Sequence, residues 1–97
     1  FNPSAMRAAL DDALARSREA LRERETLREL AARYASLTAR EREVMALVVS
    51  GHLNKQVGAA LAISEITVKA HRGKVMRKMQ ARSFAELVQF ADRLGRS

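Results

Sequence analysis

Residues 54–80 read NKQVGAALAISEITVKAHRGKVMRKMQ, and the fold turns on how this stretch divides. Val57 and Leu61, then Val68, Val75 and Met79, recur at helical spacing, so both halves are helical. Between them lies a tight turn at Ala62 to Ser64. Ser64 is a good N-cap, and Ile63 and Val68 stand at the staple positions on either side of it. Asn54 is expected to cap the first of the two helices. Two helices joined by so short a turn form a helix-turn-helix arrangement, with the second helix spanning about Ser64 to Gln80.

A helical wheel gives this second helix two faces. With Lys69 at zero and about 100° per residue, His71, Val75, Val68 and Met79 fall near 200°, 240°, 260° and 280°. These make the buried side, and His71 reads as a packed core residue. On the same scale Lys69, Gly73, Ile66, Arg77 and Ala70 lie at about 0°, 40°, 60°, 80° and 100°, with Lys74 near 140°. The outward face is therefore small at its middle and basic at its flanks, as suits a helix lying deep in a DNA major groove. Lys69 is placed to reach a guanine edge, and Ile66 and Ala70 to touch thymine methyl groups. Lys74, Arg77 and Lys78 read as phosphate contacts. Arg72, near 300°, borders the buried face and is assigned to a phosphate or an internal ion pair. Ser64, Thr67, Asn54 and Lys55 sit at helix starts, which favour a phosphate; capping alone explains Ser64 and Asn54 equally well. For Gly73 two readings stand, close approach to DNA or a tolerated surface glycine.

The flanking sequence continues the helical pattern. Thr38 with Glu41 is a capping box opening a helix over 39–50, which Gly51 closes. Ser83 with Glu86 opens another over 84–94, ended by Gly95. Four short helices in about 60 residues give an all-α bundle. Its expected core is Val44, Leu47, Val48, Val57, Leu61, Ile63, Val68, Val75, Met79, Leu87 and Ala91. Upstream, residues 3–36 are rich in Ala, Leu, Arg and Glu, with Asn2 as cap and Pro3 at the first helical position. They form one helix, or two broken at Arg22 to Glu25. A single helix would be about 50 Å long, too long to be buried in so small a domain. It must pair with another chain, project as a linker, or belong to a further domain. Leu27, Leu30, Tyr34 and Leu37 keep heptad spacing, which leaves coiled-coil pairing open. The domain boundary falls between residues 36 and 37.

Composition narrows the function classes. The 97 residues carry a net charge of +7, which invites a polyanionic partner. Residues 1–37 hold seven Arg and six acids, whereas residues 38–97 hold eleven basic residues and five acids. From Ile66 to Arg82 there are six basic residues and no acid. Absence of cysteine excludes disulfide scaffolds and thiolate metal sites. No carboxylate pair, nucleophile motif or glycine-rich phosphate loop is present, and His52 and His71 lack partners at metal or triad spacing, so neither an enzyme nor a cofactor is expected. No apolar run suits a membrane span, and no signal peptide opens the chain; a cytoplasmic protein is the expectation. A chain starting at Phe1 is expected to be part of a longer one.

The stretch Leu37–Arg96 closely resembles the LuxR-type DNA-binding domain, in particular the FixJ/NarL branch of bacterial response regulators. LTAREREV at 37–44, NKQV at 54–57 and ISEITVKAHRGKVMRKM at 63–79 carry the resemblance. It implies a four-helix bundle preceded by a linker helix, and sequence-specific binding of double-stranded DNA to control transcription. The family's base-contacting positions fall on Lys69, Ala70 and Gly73, and its phosphate-holding positions on Thr67 and around Asn54. The last helix provides the dimer contact in many members, which points to Leu87, Val88 and Ala91. Inverted half-sites, a homodimer on DNA and RNA polymerase are the implied partners. Ala39 stands where the family usually has Pro, Gly58 where Ala is commoner, and Gly73 where some members have a larger residue.

FNPSAMRAALDDAL at 1–14 resembles the end of a receiver domain, with Phe1 as the family's Phe. Residues 4–36 then continue the receiver's last helix into an interdomain linker. The resemblance implies a sensor kinase and a phosphoacceptor Asp upstream; Asp11 and Asp12 lack the acidic pocket that phosphorylation needs. Two other readings remain: a ligand-controlled LuxR regulator, and a helical dimerisation module with a basic face.

Overall fold

The computed structural model describes residues 2–96, which hold five helices and no strand. They are α1 (Pro3–Ala35), α2 (Ala39–Val49), α3 (Asn54–Leu61), α4 (Glu65–Lys78) and α5 (Phe84–Arg96). Phe1, read above as the family's Phe, lies outside the described residues.

The caps explain most of the boundaries. Asn2 accepts from the N–H groups of Ser4 and Ala5, and Pro3 follows as the first helical residue. Thr38 and Glu41 form the expected capping box at α2. Ser64 accepts from the Thr67 N–H at 3.1 Å and opens α4. Ser83 accepts from Glu86 N–H, while the Glu86 carboxylate reaches back to Arg82 N–H. Gly51, at φ +97°, ends α2 in a backbone region open mainly to glycine.

Two boundaries depart from the sequence expectation. Asn54 does not cap α3: the N-cap is Leu53, whose side chain has no acceptor. Gln56 Oε1 takes the Leu53 N–H at 2.8 Å, and Asn54 becomes the first helical residue. Gly95 does not stop α5, which runs through it to Arg96; a Cβ there would meet nothing within 4 Å. The break considered at Arg22 to Glu25 is absent, since α1 runs unbroken for 33 residues.

The core joins Leu37, Val44, Met45, Val48, Val57, Val68, Val75, Met79 and Leu87. Leu47, Leu61, Ile63 and Ala91, expected within it, are half-buried against it. Helix α4 packs on both α2 and α3. The α3–α4 turn is held by the Ile63 N–H donating to the Gly58 carbonyl at 3.0 Å. Ala62 takes a left-handed conformation, φ 57°. Gly58 is required by this turn, because a Cβ there would lie 2.7 Å from the Ile63 carbonyl oxygen.

Only the part of α1 from Glu23 onward joins the domain. Leu30 is buried, Tyr34 packs on the core, and Arg42 stacks on the Tyr34 ring at 5.0 Å. Arg93 of α5 grips Glu23 through both carboxylate oxygens. Arg33 donates to the Met79 carbonyl at 3.4 Å and lies over the Phe90 ring. The rest of α1 projects, giving a molecule 70 × 22 × 20 Å. Met6, Leu10, Leu14 and Leu21 form an exposed stripe on it. At 100° per residue this stripe lies roughly 130° around the axis from the docked side, Glu23, Leu27, Leu30 and Tyr34. The two ends of one rigid helix thus present apolar groups in different directions.

Candidate nucleic-acid interface

The outward face of α4 is built as the wheel requires. Val68 and Val75 are fully buried, which fixes the rotation of the helix. Lys69, Ala70, Lys74 and Arg77 are exposed, and Ile66 is 80% exposed. So apolar a side chain gains nothing from exposure to water. Gly73 sits mid-face with only the Arg77 guanidinium near a potential Cβ, at 3.8 Å. The glycine lowers the ridge and lets Arg77 lie back across it.

Charge is distributed unevenly around this face. Among the described residues Lys55, Lys69, Lys74 and Arg77 make no ion pair, so their charge is available to an outside anion. At α3 the N-cap Leu53 supplies no side-chain acceptor for the first-turn N–H groups, beside the exposed Lys55. A helix start of this kind suits a phosphate oxygen.

Four expected site residues stand differently. Lys78, read as a phosphate contact, donates instead to Glu41 Oε1 at 2.6 Å. The same oxygen accepts the Thr38 N–H at 2.9 Å. Glu41 is 2% exposed, and a carboxylate taken from water holds the nearest cation tightly. The Lys78 hydrogen bond and the Thr38 N–H hold its pKa below the ordinary 4.5, burial opposes them, and the charges of Lys78 and Lys74 add to the lowering. Arg72 makes no ion pair among the described residues. Its Nη1 donates to Asn54 Oδ1 at 3.0 Å, and its guanidinium lies 4.9 Å from the centre of the Phe84 ring. Asn54 is therefore occupied on its oxygen side. Leu87, expected both in the core and at a dimer contact, is 0% exposed in the domain's own core, as the core expectation has it. Val88 and Ala91 remain half-exposed.

Ser64 and Thr67 are joined at 2.9 Å through their hydroxyls, so Ser64 acts as the α4 cap. His71 is half-buried, and its shielded Nδ1 has no partner among the described residues. The sequence reading missed Phe84 and, for Glu41, everything beyond its capping role: its burial and its pairing with Lys78, 37 residues on.

No group of three or more His, Cys, Asp or Glu that could hold a metal occurs among the described residues. No helix among them is long and apolar enough to cross a membrane.

Residues 35–91 match the model for bacterial regulatory proteins of the luxR family. The chain is 41% identical over 95 residues to nodulation protein W of Bradyrhizobium diazoefficiens, covering 98% of this chain and 42% of that protein. Its structure is similar to that of the response regulator StyR, with a TM-score of 0.82 and 38% identity over 95% of this chain and 46% of that one. Full-length FixJ from B. japonicum matches with a TM-score of 0.74 and 36% identity, over all of this chain and 48% of that one. The chain thus spans less than half the length of these relatives.

Proposed function

The chain belongs to the luxR family of bacterial regulatory proteins, and from that premise we propose that it is the output part of a two-component response regulator. It reads double-stranded DNA through α4 and controls transcription, in the direction of activation. The observation that carries this reading is the α4 face: Ile66, Ala70 and Gly73 flanked by the unpaired Lys69, Lys74 and Arg77. In it Lys69 reads a guanine edge in the major groove, and Ile66 and Ala70 touch thymine methyls. Lys74, Arg77, Lys55 and the first-turn N–H groups of α3 hold phosphates. The role is binding, without catalysis or cofactor.

The finer parts of the reading rest on the relatives. A receiver domain upstream, phosphorylated by a sensor kinase, controls the output. Residues 3 to about 21 are that receiver's last helix, and the stripe of Met6, Leu10, Leu14 and Leu21 lies against it. Two copies meet through Val88 and Ala91 on inverted half-sites and recruit RNA polymerase. Selection of bound sites from a random duplex pool tests the core of the reading. A recurring half-site, repeated in inverted orientation, is the expected result; a pool that stays random after repeated rounds would overturn it.

A further inference from the structure

Arg72 lies on the recognition helix, carries a positive charge, and yet faces away from the groove side of that helix. Its guanidinium is half-buried and spans three elements. From α4 it donates to the Asn54 side chain at the start of α3 and stacks on Phe84 at the start of α5. We propose that Arg72 is a positioning residue for DNA binding, acting through Asn54 rather than touching DNA itself. The proposal rests on the DNA-reading function above and assigns a task that the wheel left undecided.

The chemistry of the contact dictates its consequence. A guanidinium only donates, so the Asn54 atom facing it must be the amide oxygen. With Oδ1 held by Arg72, the part of the Asn54 carboxamide left for an outside partner is its NH2 group, which only donates. Asn54 thereby becomes a fixed donor beside Lys55 and the uncapped first-turn N–H groups of α3. An unheld carboxamide can turn its oxygen outward, which a phosphate repels, and must be ordered on binding. The stacked Phe84 ring keeps the guanidinium planar fork in place, which a lysine ammonium cannot reproduce. Arg72 also ties the first turn of α3 to the middle of α4, the two elements that must meet one duplex at a set angle.

The test compares Arg72→Lys, Arg72→Gln, Asn54→Ala and the double variant Arg72→Gln/Asn54→Ala in the 97-residue chain. Affinity for a selected duplex is measured over a range of salt, and thermal unfolding is followed by circular dichroism. Each single variant is expected to bind about tenfold more weakly, since a charge-assisted hydrogen bond of this kind is lost. The double variant should bind no more weakly than either single one. The slope of log affinity against log salt should stay at the parent value, because Asn54 carries no charge and Arg72 neutralises no phosphate. Arg72→Lys equal to the parent, or a slope about 0.9 shallower in Arg72→Gln, would show a charge acting on phosphate and overturn the proposal. So would losses that add in the double variant. A variant that fails to fold leaves Asn54→Ala to decide, since Asn54 is half-buried at a helix start, outside the core: unchanged affinity there overturns the proposal. A parent chain that binds no duplex overturns the function itself, an outcome distinct from all of these.

Discussion

At the scale of single residues the clearest cases are those where a neighbour far along the chain decides the role. Gly58 is one. A methyl group at this position would meet the Ile63 carbonyl at 2.7 Å, and backbone cannot swing aside. Gly58→Ala should lower stability by about 1–3 kcal/mol, the usual range for forced overpacking, read as a shift in the denaturant midpoint. Glu41 is another. The capping box read from the sequence is present, since Thr38 and Glu41 do exchange both bonds. Its burial and its pairing with Lys78, 37 residues on, were illegible because no local pattern encodes a contact of that range. Since the folded pKa of Glu41 lies below the ordinary 4.5, folding favours the charged form. Its contribution is fully present above pH 4.5 and is lost as pH falls through the lowered value. Acid titration of unfolding should show this limb in the parent. In Lys78→Met it should be smaller, with stability at neutral pH reduced by about 1–3 kcal/mol as the buried carboxylate loses one hydrogen-bond donor. The salt slope of DNA binding should be unchanged in that variant, which separates an internal ion pair from a phosphate contact.

At the scale of elements, helix identity and rotation were largely legible, and surface roles were less so. The periodicity of Val68, Val75 and Met79 fixed which side of α4 faces inward, and the structure keeps Lys69, Ala70 and Gly73 on the other side. On α5 the core expectation for Leu87 held, whereas the dimer role that the family resemblance implied covered Leu87, Val88 and Ala91 alike, and these differ in exposure. Leu87 points into the core while its neighbours line the surface. That difference depends on where α1 and α2 lie, which the sequence of α5 does not contain. If α5 carries the dimer contact, Val88→Glu should weaken binding to a duplex with two half-sites at least tenfold and leave a single half-site within about twofold, as expected when a charge enters a small apolar contact. Equal losses on both duplexes would move the fault from the dimer contact to the fold.

At the scale of the whole molecule, one helix both docks on the domain and projects beyond it. From Glu23 onward α1 is part of the DNA-binding domain, through Leu30, Tyr34, Arg33 and the Glu23–Arg93 pair. The boundary expected between residues 36 and 37 therefore cuts through packed structure. A chain starting at residue 21 should unfold at the same denaturant midpoint as the full 97 residues, whereas one starting at residue 36 should lose about 2–5 kcal/mol with Leu30 and its contacts. The projecting part of α1, with its apolar stripe turned away from the domain, is ordered by the same unbroken hydrogen-bonded ladder, so the direction of any upstream neighbour is set by helix register. The central claim concerns the opposite end of the molecule, where α4 reads DNA. It is tested most directly by the affinity ratio between a selected duplex and a scrambled one, measured at fixed salt for the parent and for Lys69→Ala and Lys74→Ala. The account predicts a ratio of about 10³ or more for the parent, a ratio lower by about tenfold or more in Lys69→Ala, and an unchanged ratio with uniformly weaker binding in Lys74→Ala. A parent that binds both duplexes and heparin alike, or a ratio untouched by loss of Lys69, would contradict it.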